Sequence, residues 1–167
     1  MRIAGYKKHS SVDGPGIRFV LFAQGCIHHC DGCQNPDTHD ENAGAFISNE
    51  EIIKIIRNTP YIDGVTFSGG DPFLQPGALL TVTSVLKEKR PDLDIWVYTG
   101  WTLEELRKSF ECIENLEEIL KYIDVLVDGR FVKNLQSDDC IYRGSSNQRL
   151  IDVQATLKNK EVTLWQM

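Results

Sequence analysis

The chain has 167 residues, 41% hydrophobic and 25% charged, which suits a single globular domain spanning residues 1–167 and excludes a disordered chain. No apolar stretch reaches the ~18–20 residues that a membrane span needs, and MRIAGYKKHS lacks the hydrophobic segment of a signal peptide, so a cytoplasmic protein without a membrane partner is expected. A net charge of -6 with scattered basic residues argues against a nucleic-acid partner and leaves room for a small anionic ligand.

IRFVLFA (17–23) is almost wholly apolar, the pattern of a strand covered on both faces. A loop with Cys26, Cys30 and Cys33 follows it. Ser48 and Glu51 sit at capping-box positions ahead of a stripe of Ile52, Ile53 and Ile56, which predicts a helix. VTFSGGDP (65–72) reads as a strand ending in two glycines. The next helix starts near Pro76 and Gly77, carries Leu79, Val82 and Leu86 at helical spacing, and stops before Pro91. DIWVYTG (94–100) is a third strand, followed by a capping box at Thr102 and Glu105 ahead of Leu106 and Phe110. IENLEEILKY (113–122) is helical, with Ile113, Leu116, Ile119 and Leu120 on one side, and IDVLVDG (123–129) is a fourth strand. RLIDV (149–153) and EVTLW (161–165) are short strand candidates.

Strands alternating with helices give an α/β protein with a parallel sheet, whose ligands bind at the C-terminal strand ends. A complete eight-unit barrel takes about 250 residues, so this length fits an incomplete, partial TIM-type barrel or a related open sheet.

Five cysteines, three within eight positions, suit a reducing compartment and a metal site rather than a disulfide framework. Thiolates favour iron–sulfur clusters, zinc or copper(I). A [4Fe-4S] cluster on Cys26, Cys30 and Cys33 leaves one iron without a protein ligand, open to a substrate or cofactor. A zinc site is the alternative, completed by His28, His29, His39 or Cys140, although no second C-x2-C knuckle exists. A redox CxxC leaves Cys26 unexplained. Cys112 and Cys140 are isolated, and plain thiols or a redox or metal role both remain open for them.

The cysteine triplet, with HSSVDGPGIRFVLFAQGCIHHCDGCQNPDTH (9–39), SGGDP (68–72), DVLVDGRF (124–131) and RGSSNQR (143–149), resembles the radical S-adenosylmethionine superfamily. More narrowly, it resembles the activating proteins of anaerobic ribonucleotide reductases. The resemblance implies a radical SAM fold, a [4Fe-4S] cluster on Cys26, Cys30 and Cys33, and S-adenosylmethionine on the open iron. It further implies cleavage to methionine and a 5′-deoxyadenosyl radical, which takes hydrogen from a glycine near the C-terminus of the reductase large subunit. A low-potential flavodoxin or ferredoxin is the implied reductant.

In the superfamily a glycine-rich segment ending in an acidic residue contacts the methionyl amino group, and Ser68, Gly69, Gly70 and Asp71 are its counterpart. Tandem glycines also let backbone approach a ligand, although a bland turn stays open. Thr99 and Gly100 are placed to approach the ligand or simply end a strand. Asp128 and Gly129 meet the ribose or shape the mouth. Gly32 stands where the superfamily often has an aromatic residue, so no stacking role for adenine carries over.

Arg18 faces cofactor, partner or a local carboxylate, and His28 and His29 serve loop packing or second-shell bonding rather than ligation. Trp96, Trp101 and Trp165 are packing or interface residues. RGSSNQR either shapes the mouth, as an adaptable segment, or forms a solvated turn. Activation of another glycyl-radical enzyme such as formate acetyltransferase, radical chemistry on a small molecule, and a non-enzymatic zinc module are the competing functions.

Overall fold

The computed structural model describes residues 1–109 and 115–166. Its sheet has seven strands: β1 (Arg2–Ser10), β2 (Arg18–Ala23), β3 (Ala45–Phe46), β4 (Gly64–Gly69), β5 (Asp94–Tyr98), β6 (Val125–Asp128) and β7 (Arg149–Asp152), in the order β3-β1-β2-β4-β5-β6-β7. The central four, β2, β4, β5 and β6, are parallel neighbours. Three antiparallel pairs flank them: β1 on β2, β3 on β1 and β7 on β6. The result is a mixed α/β sheet with β3 and β7 at its two edges.

Helices α1 (Asn49–Arg57), α2 (Pro76–Lys89), α3 (Leu103–Ser109), α4 (Leu116–Leu120) and α5 (Val153–Asn159) complete the fold. Ser48 caps α1 by accepting from Glu51 N at 3.2 Å, and Ile52, Ile53 and Ile56 are buried. At α3 both halves of the capping box form, Glu105 N to Thr102 Oγ1 at 3.1 Å and Thr102 N to Glu105 Oε2 at 2.8 Å. Pro76 opens α2, where Leu79, Val82 and Leu86 are buried. The expected helix over 113–122 is seen as α4; Phe110, Cys112 and Ile113 lie outside the described residues. No helix among the described residues is long and apolar enough to cross a membrane.

Alternation along β5 divides the core. Ile95 and Val97 join the main apolar cluster with Leu79 and Leu86 of α2, while Trp96 turns to the other face with Val125 and Val127. There Trp165 and Tyr142 pack edge-on against Trp96, at centroid distances of 5.1 and 5.7 Å. Trp96 and Trp165 are thus packing residues.

Arg18 resolves to the local carboxylate. It is fully buried and donates to Asp94 Oδ1 at 2.7 Å, Thr66 Oγ1 at 2.7 Å and the Val65 carbonyl at 3.1 Å, with its guanidinium 5.2 Å from the Trp96 ring centroid. This places it at the N-terminal strand ends, because Arg18, Gly64 and Asp94 each begin their strands.

Three elements differ from expectation. β1 has a mostly exposed middle and carries no apolar run, yet it pairs with β2 over nearly its whole length. RLIDV gives way to α5 at Val153, because Asp152 accepts from Ala155 N at 2.9 Å and caps the helix. EVTLW contributes a single bridge, Leu164 to Ile151, rather than a strand.

Candidate functional site

The C-terminal ends of the parallel strands open onto a cavity of about 470 Å³. Phe22 of β2, Ser68, Gly69 and Gly70 at the end of β4, and Tyr98, Thr99 and Gly100 at the end of β5 line it. Gly129 after β6 and Cys26, Cys30 and Cys33 of the loop after β2 share the same wall. This is the topological position where open α/β sheets bind ligands.

The cysteine loop is fixed at its base. Gly25 N donates to the Thr38 carbonyl at 2.8 Å and Cys26 N to the His39 carbonyl at 3.2 Å, while Gln24 Nε2 reaches the Asp37 and Asp40 carbonyls at 3.0 and 2.7 Å. All three thiols are free and half-buried. Burial pushes the Cys26 thiol above its ordinary pKa, with Asp71 and Cys30 adding to the effect; the backbone amides of His28 and His29 pull the other way. Asn35 N approaches Cys33 Sγ at 3.4 Å. Amides directed at cysteine sulfur suit an iron–sulfur cluster, whose potential depends on such bonds. Among the described residues no three of His, Cys, Asp and Glu gather closely enough to hold one metal ion. A four-iron cluster instead asks each thiolate to bind a different iron, so three spaced thiols on one cavity fit it.

The glycines of SGGDP also seat the cysteine loop. Gly70 N donates to the Ala23 carbonyl and Asp71 N to the Gly25 carbonyl, both at 2.8 Å. A Cβ at Gly70 would fall on the Gly25 carbonyl oxygen and lie 2.8 Å from its carbon. The pair therefore admits the base of the cysteine loop, backbone against backbone, while also lining the cavity.

Asp71 lies behind these glycines. Its carboxylate is not part of the cavity wall; the residue is 1% exposed and turned inward. Oδ1 accepts from Phe73 N at 3.0 Å, and Oδ2 accepts from Thr99 Oγ1 at 2.8 Å and from Gly100 N at 3.1 Å and lies 2.7 Å from His28 Nε2. It ties the ends of β4 and β5 to the cysteine loop. Asp128 stands behind the wall in the same way, paired with Arg149 Nε at 2.9 Å and Nη2 at 2.5 Å and accepting from Leu103 N at 2.8 Å. Gly129 faces the cavity in its place.

His28 takes a packing role in the loop, its ring edge-on to Trp101 at 4.9 Å, and His29 packs on His39 at the same spacing. RGSSNQR is more than a solvated turn: Arg143, Gly144 and Gln148 line the cavity. Ser145 is fully buried, and Gln148 accepts from Gly144 N at 2.8 Å and Ser145 N at 3.1 Å while donating to the Gly129 carbonyl at 2.8 Å.

Tyr98 is a lining residue that the sequence did not mark, while Cys140, whose role the sequence left open, and Arg143 and Gln148 of RGSSNQR also line the cavity. Tyr98 donates to the Tyr142 carbonyl at 2.7 Å, and burial raises its pKa strongly. Only its place beside Thr99 at the end of a strand could have marked it. Cys140 is a fourth thiol on the same cavity, brought there by chain reversal ahead of β7.

A family described as a 4Fe-4S single cluster domain matches residues 12–151. Among curated proteins, the chain is similar to the anaerobic ribonucleoside-triphosphate reductase-activating protein of Enterobacteria phage T4, 36% identical over 143 residues, covering 83% of this chain and 86% of that protein. The protein of the same name from Vibrio cholerae is 40% identical over 144 residues, 82% and 88% of the two chains. That from Escherichia coli K12 is 37% identical over 143 residues, 82% and 89%.

Proposed function

The chain belongs to the family of anaerobic ribonucleoside-triphosphate reductase-activating proteins, and from that premise we propose that it is a radical S-adenosylmethionine enzyme that installs a glycyl radical on the large subunit of such a reductase. The observation that carries this reading is the meeting of Cys26, Cys30 and Cys33 with the ends of β4 and β5 around one cavity. The three cysteines hold a [4Fe-4S] cluster, and S-adenosylmethionine occupies the rest of the cavity. When bound, these groups supply one-electron cleavage of the sulfonium to methionine and a 5′-deoxyadenosyl radical, which takes a hydrogen atom from the partner's glycine.

The chain's own residues bind, orient and exclude. Gly69 and Gly70 seat the cysteine loop, and the inward Asp71 locks that loop to Thr99 and Gly100. Ser68, Gly69, Gly70, Thr99 and Gly129 wall the ligand, while Asp128 fixes the loop after β6 through Arg149. Gln148 and Arg143 also line the cavity, which the glycine-bearing C-terminal segment of the reductase enters in this reading. Its approach matters because a misplaced radical loses both rate and specificity.

The sheet is read as a partial TIM-type barrel whose inner face carries Trp96 and Tyr98, with Tyr142 packed against it, and residues 1–167 as one radical SAM domain. A cytoplasmic setting, with a low-potential flavodoxin or ferredoxin as reductant, suits half-buried free thiols that must stay reduced.

The test is product analysis. Anaerobically reconstituted protein, with reductant, S-adenosylmethionine and the reductase, is expected to yield methionine and 5′-deoxyadenosine in equal amounts. Brown colour with iron and acid-labile sulfide separates the cluster from zinc beforehand. A loaded, reduced protein that leaves S-adenosylmethionine intact would end the proposal.

A further inference from the structure

A second hollow, of about 370 Å³, adjoins the cavity at residues 139–148. This stretch of chain divides its residues between the two. Cys140 and Tyr142 line the cavity, Asp139 and Ile141 line the hollow, and Arg143 and Gln148 line both. The stretch is therefore a ridge with a concavity on each flank. It is braced from below: Cys140 N donates to the Ser137 carbonyl at 3.0 Å, Ser146 N to the Leu135 carbonyl at 2.8 Å, and Tyr98 Oη to the Tyr142 carbonyl at 2.7 Å.

The hollow has an apolar lining of Ile141, Leu150, Leu164 and Trp165. Trp165 N donates to the Leu150 carbonyl at 2.8 Å, which fixes two of these. The other two are open, Ile141 at 47% and Leu164 at 56% exposure. Exposed aliphatic side chains gathered at one concavity, unlike scattered ones, mark a surface that another molecule covers. Arg143 adds a donor at the ridge. Its Nη1 donates to the Gln148 carbonyl at 2.8 Å, and the guanidinium forms no ion pair among the described residues. Arg149, on the same hollow, is already committed to Asp128 and Glu104. A guanidinium only donates, so a visitor crossing the ridge meets Arg143 with an acceptor oxygen.

Hydrogen abstraction needs the partner's glycine inside the cavity, so the residues flanking that glycine must leave across its rim. On the ridge side they run into the hollow. We propose that the hollow is the docking site of the reductase segment flanking the glycine: an extended peptide that lays an apolar side chain against Ile141, Leu164 and Trp165 and a backbone carbonyl on Arg143 as it crosses the ridge. This rests on the reading that the cavity generates a radical for a reductase glycine. An apolar anchor outside the cavity supplies affinity without touching the reacting atoms, and a braced ridge supplies it at little ordering cost.

Ile141→Ser and Leu164→Ser each remove part of the anchor wall, from two separate segments, and neither residue lines the cavity. The probe is a fluorescently labelled synthetic peptide carrying the reductase's C-terminal glycine and its flanking residues. It is titrated by fluorescence anisotropy with anaerobically reconstituted, unreduced protein in the presence of S-adenosylmethionine. Iron and sulfide per chain, and the Kd of S-adenosylmethionine by equilibrium dialysis, are measured on the same samples. Each variant is expected to bind the peptide about tenfold more weakly than wild type, with iron and S-adenosylmethionine affinity unchanged.

A peptide Kd within about threefold of wild type in either loaded variant overturns the proposal, as does wild-type protein that does not bind the peptide. Should one variant not load its cluster, the other decides, and loss of loading in both overturns the proposal. A wild-type dimer that the substitutions split, with peptide affinity unchanged, assigns the hollow to a second copy of this chain and overturns it too. Loaded, reduced wild-type protein that leaves S-adenosylmethionine intact removes the functional reading itself. That failure is distinct because it is read from the cleavage products and not from the peptide Kd.

Discussion

Gly70→Ala tests how the cysteine loop is seated. The new methyl group would land on the Gly25 carbonyl, 2.8 Å from its carbon and 3.1 Å from the Ala23 oxygen. All three atoms are backbone, so no side chain can swing away, and the strand end and loop base must separate. Overpacking of this kind costs about 1–3 kcal/mol. The two backbone bonds that cross the junction, Gly70 N to Ala23 O and Asp71 N to Gly25 O, are each worth about 1 kcal/mol and are stretched with it. A loss of about 2–4 kcal/mol is expected, a large share of a typical stability of about 5–15 kcal/mol. For a chain of this size each kcal/mol moves Tm by about 2–4 °C, so about 3 kcal/mol lowers it by about 6–12 °C. The assay is thermal unfolding of the reduced, cluster-free protein followed by circular dichroism, with iron per chain measured after reconstitution. Gly77→Ala is the control, since a Cβ there meets nothing within 4 Å, and it should stay within about 1 kcal/mol of wild type. Equal Tm and full iron in Gly70→Ala would refute the seating argument.

Cys30→Ala is expected to fall well short of wild-type iron and sulfide, whereas Cys140→Ser retains both; iron loss from Cys140→Ser would make Cys140 a fourth ligand and close the site. Thr102→Ala removes one half of the capping box on α3 and should cost about 1 kcal/mol in urea unfolding, with an unchanged midpoint contradicting it. The Arg149 guanidinium holds Glu104 below its usual pKa of 4.5. A depressed folded-state pKa gives stability that is complete above 4.5 and lost as pH falls through the lower folded value. The stability gap between wild type and Glu104→Gln should therefore shrink below pH 4.5, and a gap constant with pH would count against the pairing.

The cysteine loop, the parallel strands and the caps of α1 and α3 were legible because each depends on neighbours a few residues apart. β1 was not, since a strand with a mostly exposed middle lacks both the apolar run and a clean alternation. The directions of Asp71 and Asp128 were hidden for a different reason. A strand end says where the backbone arrives, but the side chain follows the next turn. Asp71 precedes Pro72 at the start of a 3₁₀ turn and caps Phe73 N, which draws it inward. An aspartate before proline carries that capping signal, and it competes with the ligand-facing reading. Asp128 turns inward to meet Arg149, 21 residues away, a pairing that only the antiparallel return of β7 creates. Cys140 and Gln148 reach the cavity by the same reversal.

The central claim is tested most directly by electron paramagnetic resonance of the reductase large subunit after anaerobic incubation with the reduced, cluster-loaded protein and S-adenosylmethionine. The expected result is a glycyl radical on the reductase that disappears when its C-terminal glycine is replaced by alanine. No radical on the reductase, despite a loaded and reduced cluster, would contradict the assigned function.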